Sequence, residues 1–528
     1  MKFTENNIFK YKFRGSIILI AAFFIGILLR VGSLSNRPMH VDEAVHASKF
    51  GELLENNYYR YDPVEYHGPA LNYLTLIPAA LSGVKNIRAI TESTLRIIPA
   101  LSGILLLFFF LFLKKELGNN FLLIILLLLS FSSILVFYSR YYIQESLLVS
   151  FTFCFIISLF KFLTGRKNVW LILSGFFAGL AFASKETSLL AFGSVFLTFV
   201  LLHFLSQKSF AGKIFGIKTI LLFIIPFGLV SVLLFTSFFT NARGIFDSLK
   251  AVSNYFYKAG NFPEHIYPWH YYFSLIIFKE IDSFTFTEIF ILLFSLAGIF
   301  FAIKYWNNEE PKNSFIKIIL VFTILETVIY SLIPYKTPWT MMTFWTGILI
   351  MAAYGINETI SHSKKYFRHL FIFIAAVGVV HQELQAYQIS FKYQYHPQNP
   401  FVYSQATPDV EIIGNRIREI TSAAAEKDKT FICVIAGKDD YWPLPWYLRS
   451  FKNTGWFDSV PDDVYKYPVI IAKPDLEDKI VDKLFSGPKP GEVNLYIPLF
   501  DKYMEIRPGV EIRGYVRKDL YDQYLQGR

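Results

Sequence analysis

Two adjacent carboxylates mark the segment HVDEAVHA, in which Asp42 is followed directly by Glu43. A carboxylate can accept the proton of a hydroxyl group that attacks another molecule, so such a pair can serve general base catalysis. Asp42 and His46 would share one face of a helix, where the imidazole can hydrogen-bond the carboxylate. Taken alone, the pair has an alternative interpretation as a polar loop whose acids merely face water.

A second segment of chemical interest is YHGPALNY, in which Gly68 and Pro69 follow His67. Glycine and proline together interrupt regular structure. The apolar residues from Ala70 onward predict a helix after this break, with His67 at its mouth. We therefore take His67 as a candidate substrate-binding residue.

Further ionisable residues stand at the ends of long apolar runs, namely Arg96, Arg140, Glu145, Lys185 and Lys336. Any one of them is explained by a long side chain that reaches water from the end of a membrane span. That explanation does not cover four cations on the side of the membrane that also carries the acid pair. A basic rim beside carboxylates suits a phosphate-containing lipid, because the cations can hold a departing phosphate while a carboxylate takes a proton.

The elements that must position these residues are membrane spans. Hydrophobic residues make up 53% of the 528 residues, and the Lys and Arg residues behind the net charge of +10 fall mostly in short connections. This distribution indicates membrane topology and argues against a nucleic-acid partner. About eleven apolar stretches have roughly spanning length, and they lie near residues 15–33, 94–113, 120–138, 143–163, 168–184, 189–206, 218–240, 286–303, 315–333, 339–356 and 367–381.

Basic residues predict the orientation, because cytoplasmic connections keep an excess of Lys and Arg. The N-terminus and every second connection carry such residues, which predicts a multi-pass protein of the cytoplasmic (inner) membrane with its N-terminus inside. The loops 34–93 and 241–285 then lie outside. Counting the apolar piece Ala70–Val84 as a crossing would reverse all later loops, so we predict a helix lying in the outer interface.

From about Gln382 onward the apolar runs shorten to strand length, as in TFICVIAG and YPVIIAKP. We predict that residues 1–381 form an α-helical polytopic membrane domain with outer interfacial helices. Residues 382–528 are expected to form a small extracytoplasmic α/β domain.

Two further positions have open interpretations. His270, in the outer segment FPEHIYPWHYYFS, belongs either to an aromatic belt at the interface or to the floor of a sugar site. Glu326 lies within a predicted span, where an acid is usually functional or paired, and Arg30 is a candidate partner.

In these motifs the chain resembles the GT-C superfamily of membrane glycosyltransferases, in the branch of the dolichyl-phosphate-mannose protein mannosyltransferases and the lipid A aminoarabinose transferases. Within that branch it is most similar to a bacterial and archaeal subfamily labelled flippase activity-associated. The marks of that subfamily are a DE dipeptide, an HGP tripeptide and two arginines, which match Asp42 and Glu43, His67 to Pro69, Arg96 and Arg140. The tail segment DDYWPLPWYLR also resembles the family.

The resemblance implies an inverting, hexosyl- or mannosyltransferase-like enzyme that moves a sugar from a polyprenyl-phosphate donor to an acceptor at the outer face of the membrane. Neither the sugar nor the acceptor, which is a protein, a lipid or a glycan, follows from it. It implies that Asp42 is the catalytic base and Glu43 a supporting carboxylate. The resemblance also implies that three residues contact the phosphate, namely Arg96, Arg140 and Lys336. The other substrate-binding candidates are these: His67, Glu145, Lys185 and His270.

Two alternatives stay open from the sequence. Glu145 facing Asp42 would permit a divalent metal, although several branches of the superfamily manage without one. The chief rival function is a transporter or flippase accessory for lipid-linked sugars, which should show two similar halves and ionisable groups near the midplane. The charges gather at one surface instead, and only Glu326 and Arg30 favour the rival.

Overall fold

The computed structural model describes residues 5–64, 67–205, 216–261, 265–422, 427–437, 440–489 and 494–526. The chain divides into two compact units. The first, here the membrane unit, comprises these segments: Met1–Leu34, Asn56–Ser82 and Ser93–Tyr403. The second, here the tail unit, comprises these: Ser35–Glu55, Gly83–Glu92 and Ser404–Arg528.

Helices dominate the structure. The first eleven are α1 (Glu5–Val31), α2 (Val41–Asn56), α3 (Ala70–Leu81), α4 (Glu92–Phe110), α5 (Lys114–Leu117), α6 (Asn119–Phe131), α7 (Ser133–Ser139), α8 (Glu145–Gly165), α9 (Asn168–Ser184), α10 (Ser188–Leu205) and α11 (Ile217–Phe235). They are followed by α12 (Gly244–Asn261), α13 (Tyr271–Ile276), α14 (Ile289–Lys304), α15 (Pro311–Leu332), α16 (Met342–His362), α17 (Lys365–Tyr387), α18 (Asp409–Thr421), α19 (Leu444–Tyr447), α20 (Glu477–Ser486) and α21 (Lys518–Gln526).

Seven helical segments of the described chain are long and apolar enough to cross a membrane. The pair α6 and α7 is bent by 54° and makes one further span if both are counted together. The bend lies at Ser132, whose backbone is extended. The shorter apolar helices Ile17–Val31, Asn168–Ser184 and Ile289–Lys304 coincide with the remaining predicted spans. The prediction of an α-helical polytopic membrane protein is confirmed.

Helix α3 is only 12 residues long, too short for a crossing. It coincides with the segment for which the basic residues predicted an interfacial helix.

Elsewhere in the membrane unit a small residue allows close packing of two helices. A Cβ atom on Gly298 of α14 would lie 2.0 Å from the carbonyl oxygen of Met351 on α16. Helices in lipid associate closely where such small residues face each other.

The strands are short, and they are β1 (Lys279–Ile281), β2 (Phe284–Phe286), β3 (Ile432–Ile435), β4 (Thr454–Phe457), β5 (Val469–Ala472), β6 (Tyr496–Pro498), β7 (Glu505–Arg507), β8 (Val510–Glu511) and β9 (Arg513–Arg517). Five form the sheet of the tail unit in the order β4-β3-β5-β9-β6. Strand β3 is parallel to both neighbours, whereas β9 is antiparallel to β5 and β6. All residues of β3 and β5 are buried, as expected for continuous apolar runs at the centre of a sheet. The predicted strand-containing tail is confirmed.

The structure divides the chain differently from the predicted boundary at residue 382. That position lies inside α17, and the C-terminal part of the tail unit begins at Ser404. The first outer loop, predicted as part of the membrane domain, is also divided. Its segments Ser35–Glu55 and Gly83–Glu92 belong to the tail unit, because they are hydrogen-bonded to residues near α19.

Candidate functional site

The acid pair lies in the first turn of α2, within the tail unit. Glu43 is fully buried, and its Oε2 accepts hydrogen bonds of 2.9 Å from the His40 backbone N–H and from Arg37 Nη2. An acid that reaches back to the residue before the helix caps the free amide groups of the first turn. Glu43 therefore fixes the start of the helix rather than facing a ligand.

Asp42 is the more accessible member of the pair, since its side chain is half-buried. Its backbone N–H donates to His40 Nδ1 over 3.1 Å. His46 lies one turn further along the same helix, as predicted. Asp42 thus has the exposure that a proton acceptor needs.

The HGP segment is held against the end of α9 in the membrane unit. A Cβ atom on Gly68 would lie 2.2 Å from the carbonyl oxygen of Ala183, so only glycine allows the loop to approach this closely. The approach brings His67 to the residues after α9. Its Nδ1 lies 2.9 Å from Oε1 and 3.1 Å from Oε2 of Glu186.

A second ion pair adjoins the first. Glu145, the first residue of α8, pairs with Lys185, and each of the two side chains is 6% exposed. Because Lys185 and Glu186 are adjacent between α9 and α10, both pairs belong to one group. We call His67, Glu145, Lys185 and Glu186 the charged cluster.

Opposite charges shift the pKa values of two members of this cluster, Glu186 and Lys185. Burial by itself would raise the pKa of Glu186, but His67 and Lys185 outweigh it and lower the pKa to about 2. Burial likewise opposes the charge of Lys185, yet Glu145 and Glu186 raise the pKa of that ammonium group. Opposite charges at close range favour the ionised forms. Glu186 is therefore a poor proton acceptor.

The two predicted phosphate-binding arginines meet the end of α1. Arg96 is fully buried and donates from Nη1 to the carbonyl oxygen of Leu34 over 2.7 Å. Arg140 donates to the carbonyl oxygens of Leu29, Gly32 and Ser33 over 3.0, 2.6 and 3.2 Å. The last carbonyl groups of a helix have no partner within it and attract cations. Both arginines therefore anchor the chain where α1 ends.

Lys336 and His270 lie in other surroundings. Lys336 is buried, and its Nζ donates to the carbonyl oxygens of Tyr267 and Ile333. Burial lowers the pKa of this ammonium group. His270 is exposed immediately before α13, with its ring edge-to-face against Trp269. This position suits an aromatic belt.

The possible pairing of Arg30 with Glu326 is corrected by the structure. Both residues are in the described part of the chain, and they do not pair. Arg30 donates to the carbonyl oxygens of Gly26, Leu129 and Ser130. Glu326 accepts a 2.6 Å hydrogen bond from Ser194 Oγ. Depth in a span does not determine which neighbouring helix a side chain faces, so the two residues found different partners.

Sequence reasoning missed two aromatic residues beside the charged cluster. Tyr330 and Trp339 line a small cavity together with Glu145 and Lys185. Trp339 belongs to the segment PYKTPW, whose position at the end of a span was the available signal. Tyr330 lies inside α15 and offered no such signal.

Glu145 is the predicted ligand of a possible divalent metal ion. In the structure its carboxylate pairs with Lys185. Within the ranges that the structure describes, no group of three or more His, Cys, Asp or Glu side chains is placed to hold a metal ion. The positive charge beside Glu145 is supplied by an ammonium group.

The apolar helices define a polytopic membrane protein, and comparisons with known proteins support the resemblance seen in the sequence. The family model described as dolichyl-phosphate-mannose-protein mannosyltransferase matches residues 67–233, which begin at the HGP segment and include Arg96, Arg140 and the charged cluster. No curated protein matches the sequence.

Two solved structures share the fold over most of the chain. ArnT from Cupriavidus metallidurans bound to undecaprenyl phosphate matches with a TM-score of 0.62 at 12% identity, covering 94% of this chain and 97% of that one. The archaeal oligosaccharyltransferase AglB from Archaeoglobus fulgidus, in complex with an inhibitory peptide and a dolichol-phosphate, matches with a TM-score of 0.54 at 13% identity. That match covers 88% of this chain and 70% of that one.

Proposed function

We propose that this protein is an inverting glycosyltransferase that moves a sugar from a polyprenyl-phosphate donor to an acceptor at the outer face of the membrane. The observation that carries the proposal is a fold shared almost end to end with ArnT, whose structure holds undecaprenyl phosphate. The description of the matching family model supports the same class of reaction. The donor is thus a lipid-linked sugar, and the acceptor is a protein, a lipid or a glycan.

In the proposed reaction, an acceptor hydroxyl attacks the anomeric carbon from the face opposite the phosphate. The new carbon–oxygen bond forms as the bond to the phosphate oxygen breaks, and the phosphate leaves with that electron pair. Asp42 takes the hydroxyl proton as general base. Glu43 supports this role by fixing the first turn of α2. Inversion follows from a single displacement.

Cations stabilise the negative charge that develops on the leaving phosphate. We assign this role to Arg96, Arg140 and Lys336, as the resemblance implies. A guanidinium group has five N–H donors in a fixed fork, and the carbonyl groups at the end of α1 fix the plane of Arg140. A fixed plane suits bidentate contact with a phosphate. We also assign Lys185 and His67 of the charged cluster to the substrate-binding site.

Donor binding tests this assignment. We expect Arg96→Ala, Arg140→Ala and Lys336→Ala each to weaken the affinity for undecaprenyl phosphate, because losing one partner of a desolvated charge pair costs about 2 to 5 kcal/mol. Affinity is measured by titration calorimetry on purified protein in detergent.

Arg30→Ala is the matched control, because Arg30 is a buried arginine that also donates to carbonyl oxygens but is not assigned to the phosphate. The Arg30→Ala variant should bind undecaprenyl phosphate with the same affinity as the parent protein. Equal weakening in this control would make the effect one of folding, and unchanged affinity in all three test variants would refute the assignment.

The proposed orientation places the N-terminus in the cytoplasm and residues 404–528 outside the inner membrane. Its basis is the excess of Lys and Arg in alternate connections. Single cysteines introduced at exposed Lys518 and Lys365 provide the test, in a background without Cys154 and Cys433. A membrane-impermeant thiol reagent applied to intact cells should label position 518 and spare position 365. The reverse pattern would overturn the orientation.

The transporter alternative is favoured only by Arg30 and Glu326, two ionisable residues within predicted spans. In the structure these residues do not pair with each other, and each binds other groups. We therefore advance the transferase as the single proposed function.

A further inference from the structure

The segment Trp446–Arg449 of the tail unit contacts the acid-pair helix at its beginning. The hydroxyl of Tyr447 accepts a 2.8 Å hydrogen bond from the backbone N–H of Met39, two residues before α2. Both residues are buried. The tyrosine is itself held in place, because Arg418 of α18 donates to its carbonyl oxygen over 2.8 Å. The hydroxyl that accepts the Met39 N–H therefore belongs to a residue whose backbone is held in place.

Met39 begins a short series of hydrogen bonds that ends at the acid pair. The N–H of the next residue, His40, is bound by Glu43. The imidazole Nδ1 of His40 accepts the N–H of Asp42, and its carbonyl oxygen accepts the N–H of Ala44. The backbone from Met39 to Ala44 is therefore fixed at four amide groups. These bonds fix the backbone that carries the Asp42 side chain.

The same segment also supports the other half of α2, through residues just before α4. Arg449 donates from Nη2 to the carbonyl oxygen of Ile90 and from Nε to that of Ile87. Ile87 packs tightly against α2, since a Cβ atom on Gly51 would lie 2.6 Å from its Cδ1. One four-residue segment therefore supports α2 at two places.

Trp446 strengthens this arrangement. Its indole Nε1 donates to Glu92 Oε1 over 2.7 Å, at the first residue of α4. The guanidinium of Arg449 lies 3.7 Å from the centre of the indole ring, a cation–π contact. The two side chains thus hold one another and the loop segment before α4.

We propose that Trp446–Arg449 positions Asp42 for proton transfer, with Tyr447 as the main positioning residue. The proposal rests on the proposed function, in which Asp42 is the base. Proton transfer in a transition state demands a fixed donor–acceptor geometry, and a displacement of about 1 Å can cost about 10²-fold in rate. This positioning gives the tail unit a direct part in the proposed reaction. It also gives a reason why the acid pair and a distant tail segment belong to one compact unit.

Tyr447→Phe tests the proposal, since it removes the hydroxyl and keeps the ring. Tyr496→Phe is the matched control, because that hydroxyl bonds the carbonyl oxygens of Tyr465 and Tyr467 within the tail unit. The first measurement is hydrogen exchange of the amides of residues 39–44, and the second is steady-state sugar transfer with varied donor concentration.

We expect Tyr447→Phe to speed exchange at residues 39–44 and to lower kcat by roughly 10- to 100-fold with an unchanged donor KM. Tyr496→Phe should leave both measurements at parental values. Parental exchange in Tyr447→Phe would overturn the proposal, and so would faster exchange with a parental kcat. Exchange needs no activity, so a parent protein without transfer activity would refute the proposed function and leave the positioning result standing on its own.

Discussion

Asp42→Asn is expected to bind the lipid donor like the parent protein and to transfer sugar about 10²- to 10⁴-fold more slowly, the usual contribution of general base catalysis. Asparagine keeps the size and the half-buried position of the side chain but cannot accept the hydroxyl proton. The backbone bond to His40 is unaffected by the change. Transfer of radiolabelled sugar from a synthetic lipid donor by purified, folded protein measures the rate.

Two companion variants make this experiment specific. Asp247→Asn is the matched control, because Asp247 is also a half-buried acid in the first turn of a helix. Its rate should equal that of the parent. Glu43→Gln should lower thermal stability and reduce the rate less than Asp42→Asn, because it leaves the buried Arg37 without its carboxylate. A parental rate in Asp42→Asn would remove Asp42 as the base and favour the transporter function.

The second large effect concerns the ion pair of the charged cluster. Lys185→Met should lower the free energy of unfolding by about 3 to 5 kcal/mol, because a buried Glu145 carboxylate would remain without its cation. Glu145→Leu should have a similar cost for the converse reason. Thermal unfolding in detergent, followed by tryptophan fluorescence, measures the loss for each variant.

The double variant Lys185→Met with Glu145→Leu separates stability from function. Replacing both members of a buried pair with apolar groups is often neutral or stabilising, so most of the lost stability should return. The affinity of the double variant for the lipid donor should be lower than that of the parent protein, because the positive charge of Lys185, which is proposed to act on the phosphate, is gone. Single variants as stable as the parent would contradict the pairing, and a double variant with full donor affinity would remove Lys185 from the proposed substrate-binding site.

The sequence by itself determined the membrane class, the approximate spans and the strand-containing tail, because these depend on local properties. Run length and hydrophobicity indicate a span, and strand-length apolar runs between Pro and Gly indicate a sheet. The basic loops predicted that the segment from Ala70 is not a full crossing, and its helix Ala70–Leu81 is only 12 residues long. The HGP segment likewise predicted a break in the chain, since the conformations of glycine and proline are local constraints.

Only the tertiary structure decided the partners of the candidate residues. His67 and Glu186 are 119 positions apart, and Met39 and Tyr447 are 408 apart. Apolar patterning shows that a segment is buried but not which neighbour it meets, so depth alone wrongly suggested Arg30 as the partner of Glu326. The acid pair belongs to the tail unit for the same reason: specific hydrogen bonds to Tyr447, Trp446 and Arg449 form only once the chain has brought these distant segments together.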